Sequence, residues 1–454
     1  MSWDKNMLVS VASGAGTVDS AAFTVPLHAT DDVTFPEMVR EYMSPEEAAA
    51  DGYVGTDAYA AVETHFGQDL HAPSIKLGKI ATAAVAQIID WLIAGTPVEG
   101  DVAEITVNGV LCTYTAGVTP TADSIAAGLR AAAIIALADE DVTVSGATAH
   151  IILTSDNAGQ GFSYSEDYTL VGVSTGTITP TVTAANEGIY DDLVAMHAED
   201  PNWFGLTLGI TGTAATDKIN IKECARFAQA YGKLFLGQSS DADVLTKTAG
   251  NIAAYLDARS YSHVAYYWHH DNDELIAVAT MAYRFEADPD IKTTGWAYCP
   301  LTGVAVKDPV LTTTEESNLE DQNANYLTTL GGRTCSGMGI LSSGEPIYLC
   351  TTMEWYAARL REGLQQVFLD VSARNDKIDY DDKYLQVLPN ACQATNTWGE
   401  RTRHFRAGST VATIPKVADI PAALRAVFKV PVTCSGISSG AAVRVTVTAY
   451  VQMP

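Results

Sequence analysis

The sequence predicts an α/β (α+β) multi-domain protein: a layered α/β core with extended N- and C-terminal arms and an inserted β-rich α+β domain. Three observations predict it. Strands alternate with helices over residues 217–283, the pattern of a layered sheet. From residue 98 to 187 the chain turns rich in Thr, Val, Ala and Gly and reads as hairpin, helix, hairpin. The 454 residues exceed what one hydrophobic core usually holds. The expected units are an N-terminal arm (1–30), a discontinuous core (31–97 and 188–400), the insert (98–187) and a basic C-terminal segment ending in a strand (401–454).

Phe23, Val25 and Leu27 alternate with Thr24 and Pro26, a period of two. Pro26 lacks an N–H, so this segment is expected as an edge strand or arm. Ser44, Pro45, Glu46 and Glu47 open a helix, since Pro suits the first turn and carboxylates suit its positive end. A second helix is expected over residues 57–66, a strand over 75–80, and a third helix over 81–93. In the insert, Asn108-Gly109 marks a tight hairpin turn, residues 121–137 an alanine-rich helix capped by Thr121 or Asp123, and Ser145-Gly146 a second hairpin. Strands return over 168–183.

The core resumes at Ile189. Helices are expected over residues 217–231, 241–258, 273–283 and 354–371, and strands over 233–237 and 263–269. The stretch 318–332 (NLEDQNANYLTTLGG) is polar and turn-forming. A polar loop follows the long helix, then a strand over 409–417, a short helix over 422–427 and the final strand, AAVRVTVTAYVQ. In that strand Val443, Val445, Val447, Ala449 and Val451 share one face. Long apolar edges are normally protected, so this strand is expected to pair with another subunit; the resemblance given below implies the same for the N-terminal arm with Phe23 and Val25.

Net charge is −27, which argues against nucleic acid, because phosphate recognition wants Lys and Arg. From Arg401 onward there are seven basic residues and one acidic, a net +6, leaving −33 on the rest. A basic tail on an acidic body suits docking on a neighbouring copy or another partner. Apolar residues make up 47% and charged residues 18%, a balance suited to hiding surface in an assembly. Seven scattered cysteines without a CxxC pair suggest reduced, packed thiols in a cytosol-made protein. The N-terminus lacks a signal-peptide pattern, and the longest apolar run (83–94) is too short to span a bilayer.

Catalytic patterns are weak. His269, His270, Asp271, Asp273 and Glu274 crowd one strand end, but adjacent strand residues point to opposite faces, and a capped strand-to-helix turn accounts for them. Two G-x-S-x-G stretches, at Ser174 and Ser438, precede β-type sequence and lack the following helix of a nucleophile elbow. No Walker A or HExxH motif occurs. The expectation is no catalytic residues, no cofactor and no metal.

Four stretches carry a resemblance. They are His65-Phe66-Gly67-Gln68 leading through Pro73 into Ile75-Lys76-Leu77-Gly78; the insert with Ala158-Gly159-Gln160-Gly161-Phe162; Leu301-Thr302-Gly303-Val304 followed by Leu319, Asn323-Ala324-Asn325-Tyr326 and Gly331-Gly332; and Pro421, Arg425, then Ser439-Gly440-Ala441 before the final strand. In this order they resemble the tail sheath proteins of contractile bacteriophages (myophages), over nearly the whole chain. The resemblance implies a structural virion protein, made in the host bacterial cytoplasm, that forms stacked hexameric rings around a tail tube and contracts. The implied partners are further copies of itself, the tail tube protein, and baseplate and tail terminator proteins, with no nucleic acid and no membrane insertion. Arg425 and Lys429 are the candidate tail-tube contacts. The alternatives are another tail protein, of tube or baseplate, or a hydrolase with a site near His269.

Overall fold

A computed structural model of the chain describes residues 21–209, 214–426 and 430–440. The N-terminal part contributes β1 (Pro26–Thr30), β2 (Val39–Tyr42), α1 (Pro45–Ala50), α2 (Asp57–Phe66) and β3 (Ile75–Lys79). The insert follows as β4 (Ile88–Ala94), β5 (Val102–Val107), β6 (Val110–Thr115), α3 (Ala122–Ala136), β7 (Val142–Ser145), β8 (His150–Ser155), β9 (Tyr164–Thr169) and β10 (Thr177–Ala184). The core continues as α4 (Ile189–Glu199), β11 (Gly205–Leu208), α5 (Ala214–Tyr231), β12 (Leu234–Ser239), α6 (Ala242–Thr246), α7 (Ile252–Ala258), β13 (Val264–Trp268), α8 (Ile276–Phe285), α9 (Thr313–Glu320) and β14 (Ala324–Asn325). Last come the hairpin β15 (Leu327–Leu330) and β16 (Arg333–Ser336), two long helices α10 (Ile347–Ala373) and α11 (Val387–Arg401), β17 (Val411–Thr413), α12 (Ala422–Ala426) and β18 (Thr433–Ser435).

Seven strands form the central sheet in the order β14-β13-β12-β11-β1-β3-β2. All neighbours run parallel except β2, which pairs antiparallel with β3 at the edge. Strand β1 therefore lies inside the sheet, not at its edge, and residues 26–30 belong to the core rather than to an arm. Two facts reconcile this with its sequence. Pro26 opens the strand, where no ladder donor is needed; the neighbouring amide of Phe204 bonds the Val25 carbonyl instead, at 3.0 Å. The polar His28 is fully buried but satisfied, with Nδ1 3.0 Å from Thr207 Oγ1 and Nε2 3.0 Å from Asp57 Oδ2.

The insert has its own core of Ile89, Trp91, Ile105, Leu129, Ile151, Leu153 and neighbours, with α3 packed between a four-stranded and a three-stranded sheet. The Asn108-Gly109 turn has positive φ at both residues (51° and 85°), as a type I′ hairpin requires. Thr121 and Ser124 form a reciprocal capping box on α3. The insert starts earlier than residue 98. Residues 88–93, expected at the end of a helix over 81–93, belong instead to β4, which lies between β8 and β10 with Ile89, Trp91 and Ile93 buried. Its two ends meet where Val85 and Glu187 exchange backbone hydrogen bonds at 2.9 and 3.4 Å. It docks on the core through Lys222–Asp141 and Arg259–Glu140, both 2.6 Å, and through the Gly161 amide on buried Glu223 at 3.1 Å.

Two other differences are local. The helix expected over 241–258 is broken into α6 and α7 by Lys247 and Gly250 at positive φ, and Asn251 caps the second piece. The polar stretch after α10 contains α11, a helix of poor formers held by packing on α10 rather than by propensity.

Replacing residues 86–186 with a short Gly-Ser turn is expected to leave the rest folded. The ion pairs lost are only partly buried, and both partners of each pair can be solvated or re-paired once the insert is gone; circular dichroism with size-exclusion chromatography checks the outcome. A pH effect resides at His65. Its Nε2 donates to the Ala72 carbonyl at 2.9 Å, while buried Nδ1 has no partner. Burial lowers its pKa from 6.5 to about 4, so the unfolded chain takes the proton first. Its contribution is complete above pH ~6.5 and is lost as pH falls towards ~4, about 3 kcal/mol over that window. Denaturant titrations across these pH values should show the slope, and His65→Leu should flatten it.

Candidate assembly interface

The region that could carry an assembly function is the helical hairpin α10–α11, because both ends of the described chain are tied to it. Helix α10 buries its first half, from Ile347 to Leu360, in the main core, while its second half runs out along α11. The joint between hairpin and sheet body is polar. Asp290, just after α8, accepts Trp355 Nε1 at 2.6 Å, Arg359 Nε at 2.8 Å and a terminal guanidinium nitrogen of Arg359 at 2.7 Å. Its backbone carbonyl accepts Trp398 Nε1 of α11 at 2.9 Å. Arg359 is 4% exposed and also bonds Glu362 at 2.7 Å, so two carboxylates answer one buried cation.

Aromatic packing closes the joint. His404 stacks on Trp355 with centroids 4.2 Å apart and an interplanar angle of 12°, and Trp398 meets Trp355 edge-on at 5.4 Å. His404 Nε2 donates to the Pro289 carbonyl at 2.9 Å, which leaves Nδ1 to accept the Thr352 hydroxyl at 2.8 Å. Burial lowers the His404 pKa and keeps the ring neutral. Gly399 makes room for Phe405 beside α11, because a Cβ there would stand 2.7 Å from its ring.

At the N-terminal side, the Ala21 amide donates to Glu362 at 3.0 Å and its carbonyl accepts Arg359 at 3.2 Å. At the C-terminal side, Phe405 packs edge-on against Tyr356 at 4.8 Å. The Ser439 amide donates to the His404 carbonyl at 3.0 Å, and Arg406 to the Ile437 carbonyl at 2.8 Å. The antiparallel pair β17–β18 is stitched to α11 by Ala412 donating to Gln393 at 3.0 Å and Thr410 donating to Glu400 at 3.0 Å. Ala21 and Ser439, near the two ends of the described residues, are thus held on one platform.

The residues predicted for intersubunit strand pairing divide. Phe23 is 7% exposed, inside the core, edge-on to Phe204 at 5.1 Å; Val25 packs half-buried on the sheet. Both pack against this chain's own core, and apolar alternation here marks a covered strand entrance. Val443, Val445, Val447, Ala449 and Val451 lie outside the described residues, as does Lys429. Arg425 is exposed on α12. Sequence reasoning missed Asp290 and Arg359; the only signal was the four-residue spacing of Trp355 and Arg359 on one helical face.

His269 and Ser174, from the enzyme-like patterns, are engaged in local hydrogen bonds. His269 Nε2 bonds Glu274 at 2.8 Å, and Glu274 also accepts the Ala305 amide at 2.7 Å. Ser174 is buried and its hydroxyl donates to Asp101, away from any histidine contact. Among the described residues, no group of three His, Cys, Asp or Glu is placed to hold a metal, and no helix is long and apolar enough to cross a membrane.

Asp290→Ala strands the Arg359 charge and the Trp355 N–H, and is expected to cost about 3 kcal/mol. Glu362→Ala should cost less than half as much, since Asp290 remains. Phe23→Ala is expected to lose about 3–5 kcal/mol as a core truncation. Denaturant unfolding of the three variants checks the ranking.

No protein-family model and no curated protein sequence matches the chain. Solved structures do. The helical sheath of the anti-feeding prophage in its contracted state superposes with a TM-score of 0.54 at 11% identity, covering 100% of this chain and 99% of that one. The sheath complex of PVC, an extracellular contractile injection system, in its contracted state gives 0.51 at 8% identity, covering 100% and 98%. A sheath tail protein of Listeria innocua gives 0.47 at 10% identity, covering 94% and 96%. By its likeness to the first two, along its whole length, this chain has the fold of contractile sheath proteins.

Proposed function

We propose that this chain is a tail sheath subunit: a structural, non-enzymatic virion protein. In this reading it polymerises as stacked hexameric rings around a tail tube and contracts to drive the tube through a host envelope during genome delivery. The observation that carries the reading is the sheath fold along the chain, together with a platform that holds both Ala21 and Ser439. Rigid bodies with chain segments anchored at one stiff joint suit a lattice whose links persist while the bodies rotate. No nucleotide is required, because energy is stored in the extended lattice.

The final strand, with Val443, Val445, Val447, Ala449 and Val451 on one face, would pair with a sheet of a neighbouring subunit. The N-terminal link would involve the segment of Phe23 and Val25, where the chain enters the central sheet. Exposed Arg425, with Lys429, would face the tail tube. Baseplate and terminator proteins would meet the two ends of the assembly.

Negative-stain electron microscopy of the purified chain, beside a version ending at Ser439, tests the reading. Tubes or stacked rings from the full chain, lost on truncation, are expected. Arg425→Glu with Lys429→Glu should preserve self-association and impair assembly on a co-expressed tube protein at low salt. Monodisperse monomers from the full chain, even with a tube protein present, would overturn it.

A further inference from the structure

A small cavity of about 20 Å³ lies between the end of α8, the loop that carries Asp290 and the start of α10. Phe23 and Phe285 form its apolar side. Its polar side holds Arg284 at the end of α8, Lys292 and Thr293 in the loop, and Thr351 near the start of α10. Two cations and no carboxylate line it. Thr351 is 8% exposed and its hydroxyl oxygen has no hydrogen-bond partner, although buried hydroxyls are normally paired. We propose that this cavity binds one compact monovalent anion, a halide such as chloride, between Arg284, Lys292 and the Thr351 hydroxyl. The inference rests on the cavity and is independent of the assembly reading.

Charge sets the sign of the ligand. Arg284 donates from Nε to the Cys299 sulfur at 2.6 Å and from a terminal nitrogen to the Ala297 carbonyl at 3.0 Å. Burial pushes the Cys299 thiol up, so neither partner is an anion. Lys292 is exposed and has no ion pair among the described residues. The acidic residues of the same loop are engaged elsewhere or face solvent. Asp288 accepts the Asp290 amide at 2.8 Å, Asp290 holds Trp355 and Arg359, and Glu286 is exposed. The N-terminal end of the 27-residue α10 adds positive partial charge. The chain as a whole carries −27, which repels anions at long range, so affinity comes from these local groups.

Volume sets the size of the ligand. The space takes one or two water-sized groups, which excludes nucleotides and other large anions. A water could satisfy Thr351, but it would leave two cations facing one cavity without a counter-charge. A halide answers both and accepts the Thr351 O–H. Its place gives it a structural effect. The loop is already pinned on its far side, where the Thr293 amide bonds the Thr402 carbonyl at 3.0 Å and the Pro289 carbonyl accepts His404 Nε2 at 2.9 Å. The anion fastens the near side to α8 and α10. Binding to the folded chain alone then stabilises the Asp290 joint by mass action.

The test uses the full folded chain in sodium gluconate, titrated with sodium chloride at constant ionic strength. Chlorine NMR line width reads binding, and hydrogen exchange of the amides of residues 290–294 reads the loop. The expected result is saturable excess broadening, reversed by bromide, with slower exchange in that loop. Lys292→Met, at an exposed position where the fold is kept, should weaken binding about tenfold, the loss of one charge-assisted contact. Thr351→Val, of the same shape, should also weaken it while raising the chloride-free Tm, because an unpaired buried hydroxyl is removed. Misfolding lowers Tm and cannot give that combination. Crystals soaked in bromide should show an anomalous peak in contact with Arg284 and Lys292. Absence of saturable broadening, broadening unchanged in Lys292→Met, or a bromide-soaked crystal with only water in the cavity would each overturn the site.

Discussion

The Asp290 carboxylate gathers parts of the chain that are far apart in sequence. It reaches Trp355 and Arg359 on α10, its carbonyl reaches Trp398 on α11, and through Arg359 it reaches Ala21. Arg359 is almost completely buried, so removing its partners leaves an uncompensated cation, which is far more costly than the net worth of the pair. The joint is consequently stiff in a directional sense that apolar packing alone does not supply. A hydrophobic replacement of similar volume would keep α10 buried yet allow the hairpin to slide. The carboxylate therefore fixes how the hairpin sits on the sheet, and everything attached to the hairpin inherits that geometry.

The same logic recurs at the sheet centre. Strand β1 carries His28 and Thr30 into a fully buried position, and His28 is tolerated because Thr207 and Asp57 complete its hydrogen bonds. Asp57 opens α2, and its backbone amide is itself held by Asp32 at 2.8 Å. The polar side chains that look solvent-facing in sequence thus tie sheet, loop and helix together. Burying them against partners specifies register, because a slip by one residue would separate His28 from Asp57 and Thr207 together.

Legibility in the sequence followed the range of the deciding interaction. Asn108-Gly109, the Thr121 cap and the helix over residues 57–66 are decided within a few residues, and they stand where expected. The alternation of strand and helix over 217–283 is likewise local and survives, apart from the break at Lys247 and Gly250. Strand β1 was misplaced because Pro26 and His28 mark an edge unless their partners, 179 residues away in the case of Thr207, are known. Strand β4 and helix α11 depend on neighbours in the same way. Nothing in the sequence around Asp290 distinguishes it from any surface aspartate. The resemblance to tail sheath proteins rested on motif order over the whole chain, and it is the fold over the whole chain that the solved sheaths share.

Division of the chain follows from these constraints. The insert closes its own core and touches the rest through a few ion pairs and one buried amide contact, so it can vary without disturbing the sheet. The C-terminal segment is the opposite case: it has little core of its own and borrows Tyr356, Gln393, Glu400 and His404 from the hairpin and the turn after it. A segment that depends on the hairpin for its shape moves with it. Force applied beyond Gly440 is therefore transmitted to α10 and α11, through the Asp290 joint, and into the central sheet, while the insert lies off that path. Trp355, Arg359 and Asp290 are the side chains on that path whose contacts are both buried and directional.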